Sequence, residues 1–125
     1  IDRILDSFDG ERQSQARLML SESLRGVIAQ RLLRKPDGRG RALALEVLVG
    51  TPAVSALVRK KKTFQLNSVI QTGRKDGMQS MDEALFTLVR EGNVLARDAA
   101  PHLSNPELGA QLAALEPPGM RREAA

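Results

Sequence analysis

The 125-residue chain has no cysteine, no tryptophan and no tyrosine, and its single histidine is His102. Without cysteine there is no disulfide framework, no thiol nucleophile and no thiolate metal site, and the composition fits a reducing compartment. One histidine excludes a cluster of imidazole ligands for zinc. Three phenylalanines make up the aromatic complement, so the stacking rings that single-strand nucleic-acid binders interleave with basic residues are scarce. Long apolar runs are absent as well. The uncharged stretch 47–58 is broken by Gly50 and Pro52, whereas a membrane span needs about 20 apolar residues. The opening IDRILDSFDGER has no apolar signal core. Because the first residue is isoleucine, the chain is expected to be a piece of a longer protein.

What is present is ordinary in amount and uneven in placement. Hydrophobic residues make up 42% and charged residues 27%, as in a globular domain with one modest core. The net charge of +4 hides an asymmetry. Residues 1–30 carry four positive and five negative charges, residues 31–75 eleven and two, and residues 76–125 four and eight. A basic belt of this kind attracts phosphate, acidic protein or anionic lipid. It can equally pair with the acidic end of a neighbouring copy.

The periodicity predicts an amphipathic helix over residues 12–29, with Ala16, Leu20, Leu24, Val27 and Ile28 inward and Arg17, Ser21, Glu22 and Arg25 outward. The period then changes. GVIAQRLLRK and RALALEVLVG are β-compatible and flank Pro36, Asp37, Gly38, Arg39 and Gly40, a turn cluster, so an antiparallel hairpin is predicted. On the second strand Leu43, Leu45, Val47 and Val49 share one face, and Ala42, Ala44, Glu46 and Leu48 the other. A strand apolar on both sides calls for a larger sheet, part of which is expected to be missing or supplied by a partner. The rest reads as short helices. Thr51 and Pro52 open one that ends in Arg59, Lys60, Lys61 and Lys62. A second holds Leu66, Val69 and Ile70 and stops at Gly73. Ser80 and Glu83 form a capping box for a third, with Met81, Leu85, Phe86, Leu88 and Val89 inward. Residues 93–100 form a fourth, stopped by Pro101, and Asn105 starts a last one with Leu108, Leu112 and Leu115 on one side. The fold class is mainly α with a small antiparallel β-hairpin.

Little of this pattern carries chemistry. Gly38 to Gly40 and Gly73 to Gly77 lack the Gly-Lys-Ser/Thr ending of a phosphate-binding loop and read as turns. His102 follows Pro101 and reads as an incidental histidine. Glu46 stands alone in an apolar strand, where a carboxylate must be paired or neutralised. A salt bridge or an edge position is one reading, and a place near a nucleotide or subunit boundary is the other. The cations at 59–62 suit a helix C-terminus or a docking surface for an acidic neighbour. On these grounds alone, one candidate is a small basic helical module binding nucleic acid or acidic protein, which a salt titration would reveal.

Several ordered blocks resemble a known family. Ile1-Asp2-Arg3-Ile4, Gln30-Arg31-Leu32-Leu33, the run from Gly40 to Leu48, Thr51-Pro52-Ala53-Val54, Ile70-Gln71-Thr72-Gly73 and, most specifically, Gly77-Met78-Gln79-Ser80-Met81-Asp82 resemble the C-terminal part of PilT-type twitching-motility ATPases. These ATPases belong to the secretion-ATPase superfamily. The absence of paired cysteines near the hairpin points to the retraction branch, which includes a PilU-like paralogue. The resemblance implies the late portion of a RecA-like α/β ATPase domain followed by a C-terminal helical bundle. The implied divisions are residues 1–50 for the end of the core, 51–116 for the helical subdomain and 117–125 for a flexible tail. It implies a cytoplasmic homohexamer at the inner-membrane face that powers type IV pilus retraction together with the inner-membrane pilus machinery, with no nucleic-acid partner. The family's nucleotide-binding and catalytic motifs have no counterpart here. No catalytic, cofactor or metal residue is therefore assigned, ATP and Mg are expected only in the full-length parent, and the chain alone is expected to be inactive. The family's Ala-Ile-Arg-Asn-Leu-Ile-Arg-Glu retraction helix matches Ala53, Val54, Ser55, Ala56, Leu57, Val58, Arg59 and Lys60. The apolar positions and Arg59 are kept in type, and Ser55, Ala56 and Lys60 depart from the motif.

Overall fold

Where the periodicity predicts one helix over 12–29, the computed structural model, which describes residues 1–120, has a helix that ends at Ser23 and the start of a strand. Helix α1 is Asp2–Asp6 and α2 is Gly10–Ser23. The ladder of α2 closes with the Leu24 N–H on the Leu20 carbonyl, and Leu24 itself turns to extended backbone (φ −63°, ψ 122°). Val27 and Ile28 therefore lie in strand β1, Gly26–Arg34, and not on a helix face.

Strand β2, Arg41–Val49, pairs with β1 in a two-stranded sheet. The turn between them works as its residue types dictate. Asp37 Oδ1 accepts the Arg39 N–H at 2.8 Å, and Gly38 and Gly40 hold φ of 71° and 84°, angles that glycine adopts without steric penalty. The Lys35 N–H bonds Gly40 O and the Gly50 N–H bonds Arg25 O. That antiparallel register sets Leu33 opposite Ala42 and Leu32 opposite Leu43. Leu33, Ala42, Ala44 and Leu48 are buried, whereas Ile28, Leu32 and Leu43 are 70%, 55% and 47% exposed. The strand read as apolar on both sides is thus buried at Ala42, Ala44 and Leu48 on its alanine side, where Glu46 is half-buried, and its Leu/Val side is half-buried to exposed.

Helix α3, Pro52–Arg59, begins where Thr51 Oγ1 accepts the Val54 N–H, with Pro52 in the first turn. A 3₁₀ turn, Thr63–Gln65, leads to α4, Leu66–Thr72, which is capped by Gly73. Helix α5, Met81–Arg90, has both arms of its capping box. The Glu83 N–H donates to Ser80 Oγ at 3.1 Å, and the Ser80 N–H to Glu83 Oε2 at 3.4 Å. Two short helices follow, α6 at Ala96–Ala99 and α7 at Gly109–Ala114, with 3₁₀ turns at Ala100–His102 and Pro106–Leu108. Of the tail predicted to be flexible, residues 117–120 form a turn closed by the Met120 N–H on Pro117 O. Residues 121–125 lie outside the described residues.

The chain forms two compact units. The first takes residues 1–27 and 47–78. Its core is Leu48, Val54, Val58, Leu66, Ile70 and Met78, against which Leu20, Leu24, Val27 and Leu57 pack. The second takes residues 28–46 and the chain from Gln79 onward. Its core joins Leu33, Ala42 and Ala44 of the hairpin to Ala84, Leu85 and Val89 of α5, Val94, Ala96 and Ala99 around α6, Leu103, and Leu112 of α7. Burying each large aliphatic side chain contributes about 1.5–3 kcal/mol.

Within the second unit, Glu46 finds a partner that neither sequence reading named. Its Oε2 accepts the Met81 N–H at 3.0 Å, a free amide in the first turn of α5. A carboxylate is favourable at this positive end of a helix.

Candidate functional site

The retraction-motif residues fall on α3 and its C-cap. Ala53 is exposed, Val54 and Val58 are buried, and Ser55, Ala56 and Leu57 are half-buried. Arg59 and the C-cap residue Lys60 are exposed. Val54, Leu57 and Val58 of the apolar stripe face the core of the first unit, Ala53 does not, and the cations are exposed.

Helix α3 packs on α2, and the contact is polar where the sequence suggests solvent. Ser55 Oγ donates to Ser21 O at 2.6 Å, and Arg17 Nη1 donates to Val58 O at 3.3 Å. These pairings run the two helices antiparallel. Ser21 is 1% exposed and Arg17 is half-buried, although the periodicity assigns both to the outward face. The apolar residues of α2 are spread around the helix, and Leu18 and Met19 are exposed instead. The donors across the contact are Ser55 and Arg17, whereas the Ser21 hydroxyl bonds Leu18 O within its own helix.

The end of α3 is shaped by its backbone. The Lys62 N–H bonds Leu57 O at 2.8 Å and the Lys61 N–H bonds Val58 O at 3.3 Å, while Lys61 sits at φ 61°. This is a Schellman closure with lysine at the left-handed position usually taken by glycine. Residues 59–62 are all exposed.

The motif from Gly77 to Asp82 is explained residue by residue. Gly77 takes φ 87°. Met78 is buried in the first unit. In the second unit Gln79 Nε2 donates to Leu45 O at 2.8 Å, Ser80 caps α5, and Met81 N–H reaches Glu46. Asp82 accepts from the Ser104 N–H at 2.8 Å and the Ser104 hydroxyl at 2.7 Å. These are positioning contacts. Among the described residues, no three His, Asp or Glu side chains gather as a metal site, and no helix is long and apolar enough to cross a membrane.

These features define a mostly helical chain with a two-stranded antiparallel hairpin. No protein-family model matches it. A "Twitching motility protein" of Neisseria gonorrhoeae is 46% identical over 107 residues, covering 86% of this chain and 29% of that protein. The "Type IV pilus retractation ATPase PilT" of Pseudomonas aeruginosa is 44% identical over 107 residues, covering 86% and 31%. A "Type IV pilus ATPase PilU" of the same organism is 35% identical over 102 residues, covering 82% and 27%. In structure, the pilus retraction motor PilT with bound ADP matches with a TM-score of 0.71 at 37% identity, over 85% of this chain and 29% of that one. Likeness of sequence and likeness of backbone together bear out the resemblance read from the residues: the chain is homologous to a part of the PilT-type twitching-motility ATPases. It spans under a third of the length of those relatives.

Proposed function

We propose that this chain is the rear portion of a pilus-retraction motor and acts there in subunit contacts and mechanical coupling. The observation that carries the reading is the identity of 44–46% over 107 residues to a PilT and a twitching motility protein. The parent is a cytoplasmic homohexamer at the inner-membrane face, where it works with the pilus machinery to drive retraction and twitching motility. This chain supplies the late part of its RecA-like domain and the helices that follow. ATP and Mg serve the parent. The chain has no Gly-Lys-Ser/Thr loop, and no step of hydrolysis is assigned to it.

The coupling element is α3. Val54, Leu57 and Val58 give it a packed side, Ala53 is exposed, Ser55 and Ala56 lie half-buried, and Arg59 and Lys60 end it in positive charge. Coupling requires an element whose position nucleotide biases. A helix buried along one side at Val54 and Val58 and ending in exposed cations is suited to that role. The test is Leu57→Asp in the full-length parent. Retraction should be lost while nucleotide binding persists. Loss of both together would mean unfolding and would remove support for α3 as the coupling element.

A further inference from the structure

The charge at the end of α3 exceeds what the helix can use. A helix C-terminus favours cations only within its last turn, and α3 has eight residues. Four consecutive cations follow from that end, at 59–62, all exposed. Among the described residues, none of their side chains has an ion-pair partner. Arg17 adds a fifth cation from another helix, its guanidinium lying 3.3 Å from Val58 O. The surrounding sequence does nothing to neutralise them, because residues 47–75 contain no Asp or Glu. Asp2 reaches the neighbouring turn, where Thr63 Oγ1 donates to it at 2.8 Å. Two positions after Lys62, on that turn, Phe64 is 75% exposed.

We propose that Arg59, Lys60, Lys61, Lys62 and Phe64 form a contact patch for an anionic phospholipid surface. Three of the four exposed cations are lysines, compact point charges that do not impose the planar fork with which arginine reads carboxylates and phosphates. Diffuse positive charge beside one projecting ring matches a headgroup layer, which takes the charge at its surface and the ring at its boundary. A single-stranded nucleic acid would call for more rings than one. The left-handed turn at Lys61 lies within the patch. The inference stands on these residues and does not depend on the motor reading.

The test is sedimentation of the 125-residue chain with vesicles of mixed phosphatidylglycerol and phosphatidylcholine, and with vesicles of phosphatidylcholine alone. Binding should require phosphatidylglycerol and weaken with added salt. Each basic residue near such a surface contributes about fivefold, so Lys60→Gln, Lys61→Gln and Lys62→Gln together should lower the partition coefficient about a hundredfold. Phe64→Ala alone should lower it several-fold. Removing the same charge from the hairpin turn, by Arg34→Gln, Arg39→Gln and Arg41→Gln, should change it much less. Circular dichroism checks the fold of each variant, and Lys62→Gln with Phe64→Ala decides the matter if the triple variant unfolds. Equal losses from both triple variants, or equal binding to phosphatidylcholine alone, would overturn the proposal. Tighter capture of polyglutamate or a DNA oligonucleotide through the same lysines would overturn it in favour of those partners.

Discussion

Ser55 and Ser21, thirty-four residues apart, are joined by a 2.6 Å hydrogen bond from the Ser55 hydroxyl to the Ser21 carbonyl. Arg17 returns the favour by donating to Val58 O. Each of α2 and α3 thus supplies a side-chain donor to a last-turn carbonyl of the other, and Val58 O takes the Lys61 N–H as well. A seam of this kind holds register as well as proximity, because a shift of one residue along either helix would break both bonds.

Ser55→Ala should therefore destabilise the chain by about 1 kcal/mol, the usual net worth of one such bond. Urea unfolding should show a lower midpoint at unchanged slope. Ser55→Thr, which keeps the hydroxyl, should lose less.

Lys61→Gly should stabilise by about 0.5–1 kcal/mol. Lysine in the left-handed region costs about 1–2 kcal/mol, and the greater freedom of glycine in the unfolded chain offsets part of the gain. Lys61→Val should move the melting temperature the other way, since a β-branched residue tolerates φ 61° worst of all.

Gly50→Ala should cost about 1–3 kcal/mol. A Cβ at Gly50 would collide with the Leu24 carbonyl, and the Gly50 N–H bond to Arg25 O would have to give way. Gly109→Ala is the matched control. It meets nothing within 4 Å at the start of α7, so the helix preference of alanine should leave it neutral or slightly stabilising.

Glu46→Ala should cost about 1–2 kcal/mol by removing a charged acceptor from the first turn of α5, whereas Glu46→Gln should recover most of the loss. Thermal unfolding of the two variants side by side separates charge from hydrogen bonding.

The elements that could be read in advance are those whose signals are local. The Thr51–Pro52 start of α3, the Ser80–Glu83 box and the turn at Asp37 depend on neighbours within a few residues, and all three form as the residue types dictate. What could not be read depends on distant partners. Periodicity gives α2 a polar outer face with Arg17 and Ser21 on it, yet both meet α3. Val58 and Ser55 supply the partners across the contact, while the Ser21 hydroxyl bonds Leu18 O in its own helix. Glu46 likewise has no local cue to Met81, thirty-five residues on. The apolar stripe of the candidate site was legible from Val54, Leu57 and Val58. The left-handed lysine after it was not, because lysine gives no hint of positive φ.

The chain passes from one compact unit to the other after Val27, Glu46 and Met78. During synthesis the first unit stays unfinished until Met78 has left the ribosome, so α2 must wait, its Ser21 and Arg17 still wet, while the whole hairpin is made. Neither unit can be cut out, swapped between relatives or expressed alone by a single choice of end point. Grafting the first unit into another protein would need a linker in place of residues 28–46.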